Sequence, residues 1–398
     1  MGRTIYCDHN ATTPPDPRVV QKTNEIATAA YGNPSSPHRA GQVAKGHLEE
    51  SRAVAANFLG AKPSEIVFTS SGTEADNLAI FGVAYAHRGK GRHLVTTAIE
   101  HHAVLSSIER LSALGWEATI LPVDRFGMVD SEEFRRAVRN DTVLASVMLA
   151  NNEVGTIQPI RELARIARER GVLFHTDAVQ AIGKLRVNVE ELGADLLSLS
   201  AHKFYGPKGV GALYVRAGTI IDAHIYGGGQ ESKLRSGTEN VPAVVGMALA
   251  LRFLQEHPNS NDRASQIAED FTKKLFAVVP DITLHGHPEQ RIKSTVNVGL
   301  HGANGEALVI ALDLHGICVS SGAACSTGAI EPSHVLTAMG FDQPETESSI
   351  RFSFGRSSEP DDADVMVEAL ASEVERLRRM SPVYRAGILS SRVVDASS

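Results

Sequence analysis

Five short segments of this chain carry residue types that could do chemistry together. In SLSAHKFYGPKGVG (198–211), Lys203 follows an apolar run and precedes an aromatic residue and a glycine turn. A lysine desolvated in such a place has a depressed pKa and becomes a nucleophile toward aldehydes. Ser200 and His202 flank it with hydrogen-bonding groups. The plainer reading is a surface lysine in a turn, which fits the nearby Lys208 better. In TSSGTEADN (69–77), Gly72 permits close backbone approach and Thr73 stands at a helix start. The free N–H groups of a helix start point at an anion, so this is either a phosphate cradle or an ordinary cap. In VLFHTDAVQAIG (172–183), Asp177 ends an apolar run. A carboxylate there is costly unless it meets a cation or several hydrogen bonds. A protonated pyridinium nitrogen would satisfy it, and so would a helix N-terminus.

Two further segments add a ring and a thiol. IEHHAVL (99–105) offers His101 or His102 to stack on an aromatic ring or to move protons, against the common case of a structural histidine. VSSGAACSTGAIEP (319–332) holds Cys325 among small and polar residues, with no apolar periodicity to bury it. That composition predicts an exposed loop with an available thiol. Cys318 and Cys7 sit in strand-like apolar contexts and read as core filler. Each signal is weak alone. Their order is more specific: a phosphate cradle, a histidine ring, a carboxylate at a strand end, a lysine after Ser-x-His, then an exposed cysteine. Pyridoxal phosphate (PLP) needs a phosphate site, a lysine to bond its aldehyde and a partner for its pyridinium nitrogen.

The elements that must position these groups read as α/β. Strands are predicted over 65–69, 93–97, 143–149, 172–176, 196–200 and 210–215, with helices over 73–88, 102–114 and 160–170. That alternation predicts a large domain built on a mostly parallel sheet covered by helices on both faces, with ligands at the carboxyl ends of its strands. A polar, turn-rich stretch near 255–263 suggests a boundary. Beyond it, helices over 264–278, 305–315 and 361–379 and strands over 294–300 and 350–354 predict a smaller α+β domain. The expected division is 15–258 for the large domain, and 1–14 with 259–398 for the small one carrying the cysteine loop.

Composition narrows the function. The 398 residues are 42% hydrophobic and 21% charged, with a net charge of -7, and no basic stripe suggests nucleic acid. Three cysteines do not make a disulfide framework, so a reducing, cytoplasmic setting is expected. No secretory leader pattern begins the chain, and the apolar stretch 241–254 is too short for a membrane span. Dinucleotide-binding, P-loop, zinc-protease and serine-hydrolase motifs are absent, and no metal is expected.

With YCDHNATT (6–13), GNPSSPHRAG (32–41), SSGTEADN, EHHAV, NNEVGTIQP (151–159), HTDAVQ, SAHKFYGPKG, GGGQE (227–231), RSGTEN (235–240), SSGAACSTG and IRFSFGR (350–356), the chain resembles the NifS/IscS type of cysteine desulfurase. That type lies within the class V aminotransferases of PLP fold type I, which implies a mostly parallel seven-stranded sheet in the large domain beside a smaller α+β domain. The resemblance covers nearly the whole chain. It implies that Lys203 bonds PLP and later moves the Cα proton, that Asp177 pairs with the pyridinium nitrogen, and that Gln180 reaches the phenolic oxygen. His101 would stack over the ring, and His102 would have no role. Thr73, Ser200 and His202 would bind the phosphate. Thr238 would reach the phosphate held by the other subunit of a homodimer. Asn152 and Arg351 would face L-cysteine, Arg351 gripping its carboxylate in a bidentate pair. Cys325 would take the sulfur as a persulfide and pass it to an acceptor protein such as an iron–sulfur scaffold. The loop departs from the commoner S-S-G-S-A-C-T-S at Ala323, Ser326 and Thr327, and YCDHNATT departs through Cys7 and His9. The rivals are transamination, selenocysteine lysis or sulfinate removal on the same fold, and a non-catalytic docking subunit. An exposed thiol disfavours transamination. The joint presence of Lys203, Asp177, His101 and Cys325 disfavours the docking role.

Overall fold

The structure is a computed structural model and describes residues 3–321, 332–381 and 384. Its main sheet runs in the order Ile66–Thr69, Gly211–Val215, Leu196–Ser200, Leu173–Asp177, Thr142–Ser146, His93–Thr97, Glu117–Leu121. Only Gly211–Val215 runs against its neighbours. The remaining pairings are parallel. Most of these strands are buried along their whole length, because helices lie on both faces, and this is why they read as continuous apolar runs. The expected mostly parallel seven-stranded sheet is therefore what forms.

The strand expected over 143–149 ends at Ser146. The chain still bonds to its neighbour, with the amides of Val147 and Leu149 donating to the carbonyls of His175 and Asp177. It leaves strand geometry there because it must turn into the segment carrying Asn151 and Asn152. Three long helices lie outside the elements expected from sequence: Pro17–Ala29, Arg39–Leu59 and Val241–Glu256. The last contains the apolar stretch at 241–254. It packs against the other two, which accounts for its nearly all-round hydrophobicity. No helix among the described residues is long and apolar enough to cross a membrane.

A second core gathers Ile267, Phe271, Val298, Phe352 and Leu370 around an antiparallel sheet, ordered Ser320–Ser321, Ser349–Ser353, Thr295–Leu300, Ile282–His285. The chain's first strand joins this core. Ile5 and Tyr6 pair in parallel with Ile317 and Cys318, and Cys7 is fully buried there with its Sγ 3.5 Å from Met366 Sδ. From this strand the chain crosses to the main sheet. Both the amide and the hydroxyl of Thr13 donate to the carbonyl of His202 at 2.8 Å. Residues 5–13 thus strap one core to the other.

Candidate active site

Five strands that share one direction end at Thr69, Thr97, Ser146, Asp177 and Ser200, and the chemically equipped residues follow or form those ends. Lys203 lies in a single turn, Ala201–Lys203, directly after the strand Leu196–Ser200. Its Nζ donates to the backbone carbonyls of Asn10 at 2.6 Å and Ala11 at 2.8 Å. The strap therefore supplies the acceptors that aim the amine. Lys208, five residues on, is exposed, as its turn context suggests.

Asp177 is the last residue of its strand, and its Oδ1 accepts the Val179 amide at 2.8 Å. Burial pushes its carboxyl up to about 6, while that N–H and the charge of Lys203 work against the rise. Behind it lies a buried polar layer that sequence reasoning did not single out. His175, two residues back and so on the same face of the strand, has Nδ1 2.8 Å from Ser146 Oγ and Nε2 2.9 Å from Ser198 Oγ. Burial lowers its pKa to about 3, so the ring is neutral. Asp76 is buried, with Oδ1 3.6 Å from His175 Nε2. Burial and the neighbouring Asp177 raise its pKa well above the usual range. The pair shares one charge, and Asp177 holds it because Asp177 has the N–H donor and the nearby cation.

His101 caps the helix His102–Ala113, and its Nδ1 accepts the Ala103 amide at 3.1 Å. Burial and then Lys203 lower its pKa to about 4, so the neutral ring carries its proton on Nε2. His102 is exposed, its ring centroid 4.6 Å from that of His334. Glu100, next in sequence, is fully buried. Its Oε1 accepts from Thr97 Oγ1 at 2.7 Å and from the Met148 amide at 2.9 Å, and burial raises its pKa to about 8.

The helix Gly72–His87 starts against Ser200. A Cβ built on Gly72 would lie 2.7 Å from Val179 Cγ2 and 3.3 Å from Ser200 Cβ, so glycine is what lets the helix N-terminus approach the strand end. Thr73 is exposed at that terminus, Ser200 is buried, and His202 Nδ1 lies 3.1 Å from Thr12 Oγ1. Burial and Lys203 lower the His202 pKa to about 4. Gln180 donates from Nε2 to the Asn10 carbonyl at 2.9 Å.

Arg351 comes from the second sheet and is 3% exposed. It donates from Nη2 to Asp8 Oδ1 at 2.8 Å and from Nη1 to the Asn152 carbonyl at 3.1 Å. Its Nε has no hydrogen-bond partner among the described residues. A buried guanidinium with a donor to spare suits a carboxylate ligand. Thr238 is exposed, a few residues past Glu231. Glu231 is anchored by Arg52 through bonds of 2.7 and 2.8 Å and also accepts the Phe68 amide. Cys325 lies outside the described residues.

The structure thus brings Lys203, Asp177, Gln180, His101, Ser200 and His202 to one end of the sheet, with Asn152 and Arg351 arriving across the strap. Sequence reasoning missed Asn10, whose carbonyl accepts from both Lys203 and Gln180. It also missed Lys184, which donates to Gln180. The motif YCDHNATT marks the right segment but not which of its atoms are used. As a donor set, an amine, a carboxylate, an amide, a histidine ring and a helix N-terminus beside Ser200 and His202 match PLP group for group.

Fold and site together define a PLP-dependent enzyme of fold type I. The class-V aminotransferase family profile matches residues 5–366, and the chain belongs to that family, which is PLP-dependent. The chain is 46% identical over 382 residues to "Cysteine desulfurase IscS" of Methanosarcina thermophila, covering 96% of this chain and 95% of that one. It is 45% identical over 383 residues to the protein of the same description from Dictyoglomus turgidum, covering 96% and 97%. Among solved structures, one described as "NIFS-like protein" superposes with a TM-score of 0.87 at 38% identity, covering 93% of this chain and 99% of that one.

Proposed function

We propose that this protein is a cysteine desulfurase that removes sulfur from L-cysteine, gives L-alanine and holds the sulfur as a persulfide on Cys325. The observation that carries the reading is the convergence of Lys203, Asp177 and His101 at the strand ends, with Arg351, whose Nε has no partner among the described residues, facing the same strap. Bound PLP would supply an electron sink at its ring nitrogen. The chain's own residues do the rest. Lys203 would bond the cofactor and afterwards move the Cα proton. Asp177, ionised beside Lys203, would keep the ring nitrogen protonated. Gln180 would serve the phenolic oxygen and His101 the ring face. Thr73, the helix N-terminus, Ser200 and His202 would hold the phosphate. Arg351 grips the substrate carboxylate beside Asn152. The Cys325 thiolate attacks the substrate sulfur, an S–S bond forms as the C–S bond breaks, and the carbon takes a proton and leaves as alanine.

The same reading makes 15–258 the cofactor-binding domain, and 1–14 with 259–398 the domain that carries Arg351 and the cysteine loop. It makes the protein a cytoplasmic homodimer in which Thr238, exposed in the single chain, reaches the partner's cofactor phosphate. The persulfide passes to an acceptor protein for iron–sulfur cluster or other thio-cofactor assembly. The test is to load the purified chain with PLP, add L-cysteine, and measure alanine together with the mass of the Cys325 peptide. Matching alanine and one added sulfur atom are expected. A yellow protein that makes neither would refute the desulfurase reading while leaving the cofactor site intact.

A further inference from the structure

Lys184 has no cofactor or substrate role in the reading above, yet its amine is enclosed beside the site. It follows Gly183 just past the Asp177 strand end and is half-buried. Its Nζ lies 2.6 Å from Asn10 Oδ1 and 2.8 Å from Gln180 Oε1. We propose that Lys184 is a positioning residue: it fixes which end of two side-chain amides, Gln180 and Asn10, faces the reaction centre. The inference rests on the desulfurase reading and extends it to a residue that touches neither substrate nor cofactor in that reading.

An amide can turn over at little steric cost, because its oxygen and nitrogen are nearly the same size. What decides its sense is the donor or acceptor on each side. Lys184 presents only N–H groups to both amides, so both must turn an oxygen toward it. Gln180 must then turn its NH2 the other way, where it meets the carbonyl of Asn10, the same oxygen that accepts from Lys203 Nζ. Asn10 must likewise turn its NH2 away, and it donates to the carbonyl of Asn152 and to Thr295 Oγ1, each at 3.0 Å. The Asn152 carbonyl also accepts from Arg351. One amine thus sets the polarity of a hydrogen-bond chain running from the cofactor lysine to the substrate arginine. The other cations facing Lys184 are Lys203 and Arg351, and Arg351 is paired with Asp8. Burial and those two cations push the Lys184 pKa well below its usual range. The donor-only role belongs to the ammonium form, which the oxygens of Asn10 and Gln180 favour, because a neutral amine gains a lone pair that accepts hydrogen bonds.

The comparison is between PLP-loaded wild type, Lys184→Met and Lys184→Arg, each as the intact chain. A hydrogen bond donated to the phenolic oxygen favours its anionic form, so losing the oriented Gln180 donor moves the pH transition of the visible absorbance upward. The expected shift in Lys184→Met is about one pH unit. Cofactor affinity should fall about tenfold, the cost of one buried hydrogen-bonding group left unmatched. Lys184→Arg, still a donor only, should lie between the two. A Lys184→Met protein that differs from wild type in Tm alone, with the same transition and the same cofactor affinity, overturns the inference. Asn10→Ala supplies a second arm should Lys184→Met not fold. It should raise KM for cysteine more than it lowers kcat, and a kcat loss at unchanged KM overturns the inference. A wild type that takes up cofactor but makes no alanine defeats the desulfurase reading alone, and the absorbance comparison still decides Lys184. A wild type that takes up no cofactor defeats both.

Discussion

Burial and the charge of Asp177 hold Asp76 protonated, which leaves the negative charge on Asp177. Asp76→Asn, which mimics the protonated acid, should therefore leave the cofactor absorbance in place. Asp177→Asn should lower turnover by about two orders of magnitude, because it removes a charge aimed at the reacting ring. Steady-state kinetics of the two variants check the assignment. Lys203→Ala should abolish the visible absorbance altogether. Cys325→Ala should keep it and lose sulfide release, and full activity in that variant would exclude the persulfide role. Glu100 gives a prediction in pH. Burial raises its folded pKa from the ordinary 4.5 to about 8, so the folded state holds the proton more tightly. That stabilisation is complete below 4.5 and disappears as pH rises through about 8. Glu100→Gln should have nearly the wild-type Tm in mild acid and exceed it in mild alkali by the equivalent of roughly 2 kcal/mol. Thermal melts across that range read the difference. At this scale the residue types were legible in sequence, whereas the protonation states were not, because burial and neighbours from other segments set them.

The helix Gly72–His87 shows what an element adds to its residues. Its N-terminus can serve an anion only if it comes up against Ser200, and the missing Cβ of Gly72 allows this. Gly72→Ala should weaken cofactor binding and cost roughly 1–3 kcal/mol, because the Val179 side chain and the strand end must shift. Equilibrium denaturation with a cofactor titration separates the two effects. Strands and helices with clear periodicity were readable: 93–97 and 196–200 fall where the pattern puts them. The helix expected over 73–88 forms over Gly72–His87. The helix Val241–Glu256 was not readable as one. It is hydrophobic nearly all round because it is covered by other helices, and periodicity disappears when every face is buried.

At the scale of the whole molecule, the strap of residues 5–13 ties the core around Phe271 and Phe352 to the strand ends of the main sheet. Light scattering should give a mass twice the 42.6 kDa of one chain if Thr238 serves a partner's site, and Thr238→Ala should then weaken cofactor binding without changing that mass. A monomer with full cofactor affinity would remove Thr238 from the site. The sequence by itself determined the α/β alternation, the mostly parallel sheet, and Lys203 and Asp177 as candidates, because strand-end position and residue chemistry are local properties; Gln180, and His101 rather than His102, followed only from the resemblance of whole motifs. Only the tertiary structure decided that Asn10, some 190 residues before Lys203, supplies its acceptor. The same holds for the orientation of two amides by Lys184 and for the joining of Arg351 to Asn152 across two cores. Hydrogen bonds between distant segments depend on how the cores pack, and no spacing along the chain encodes that.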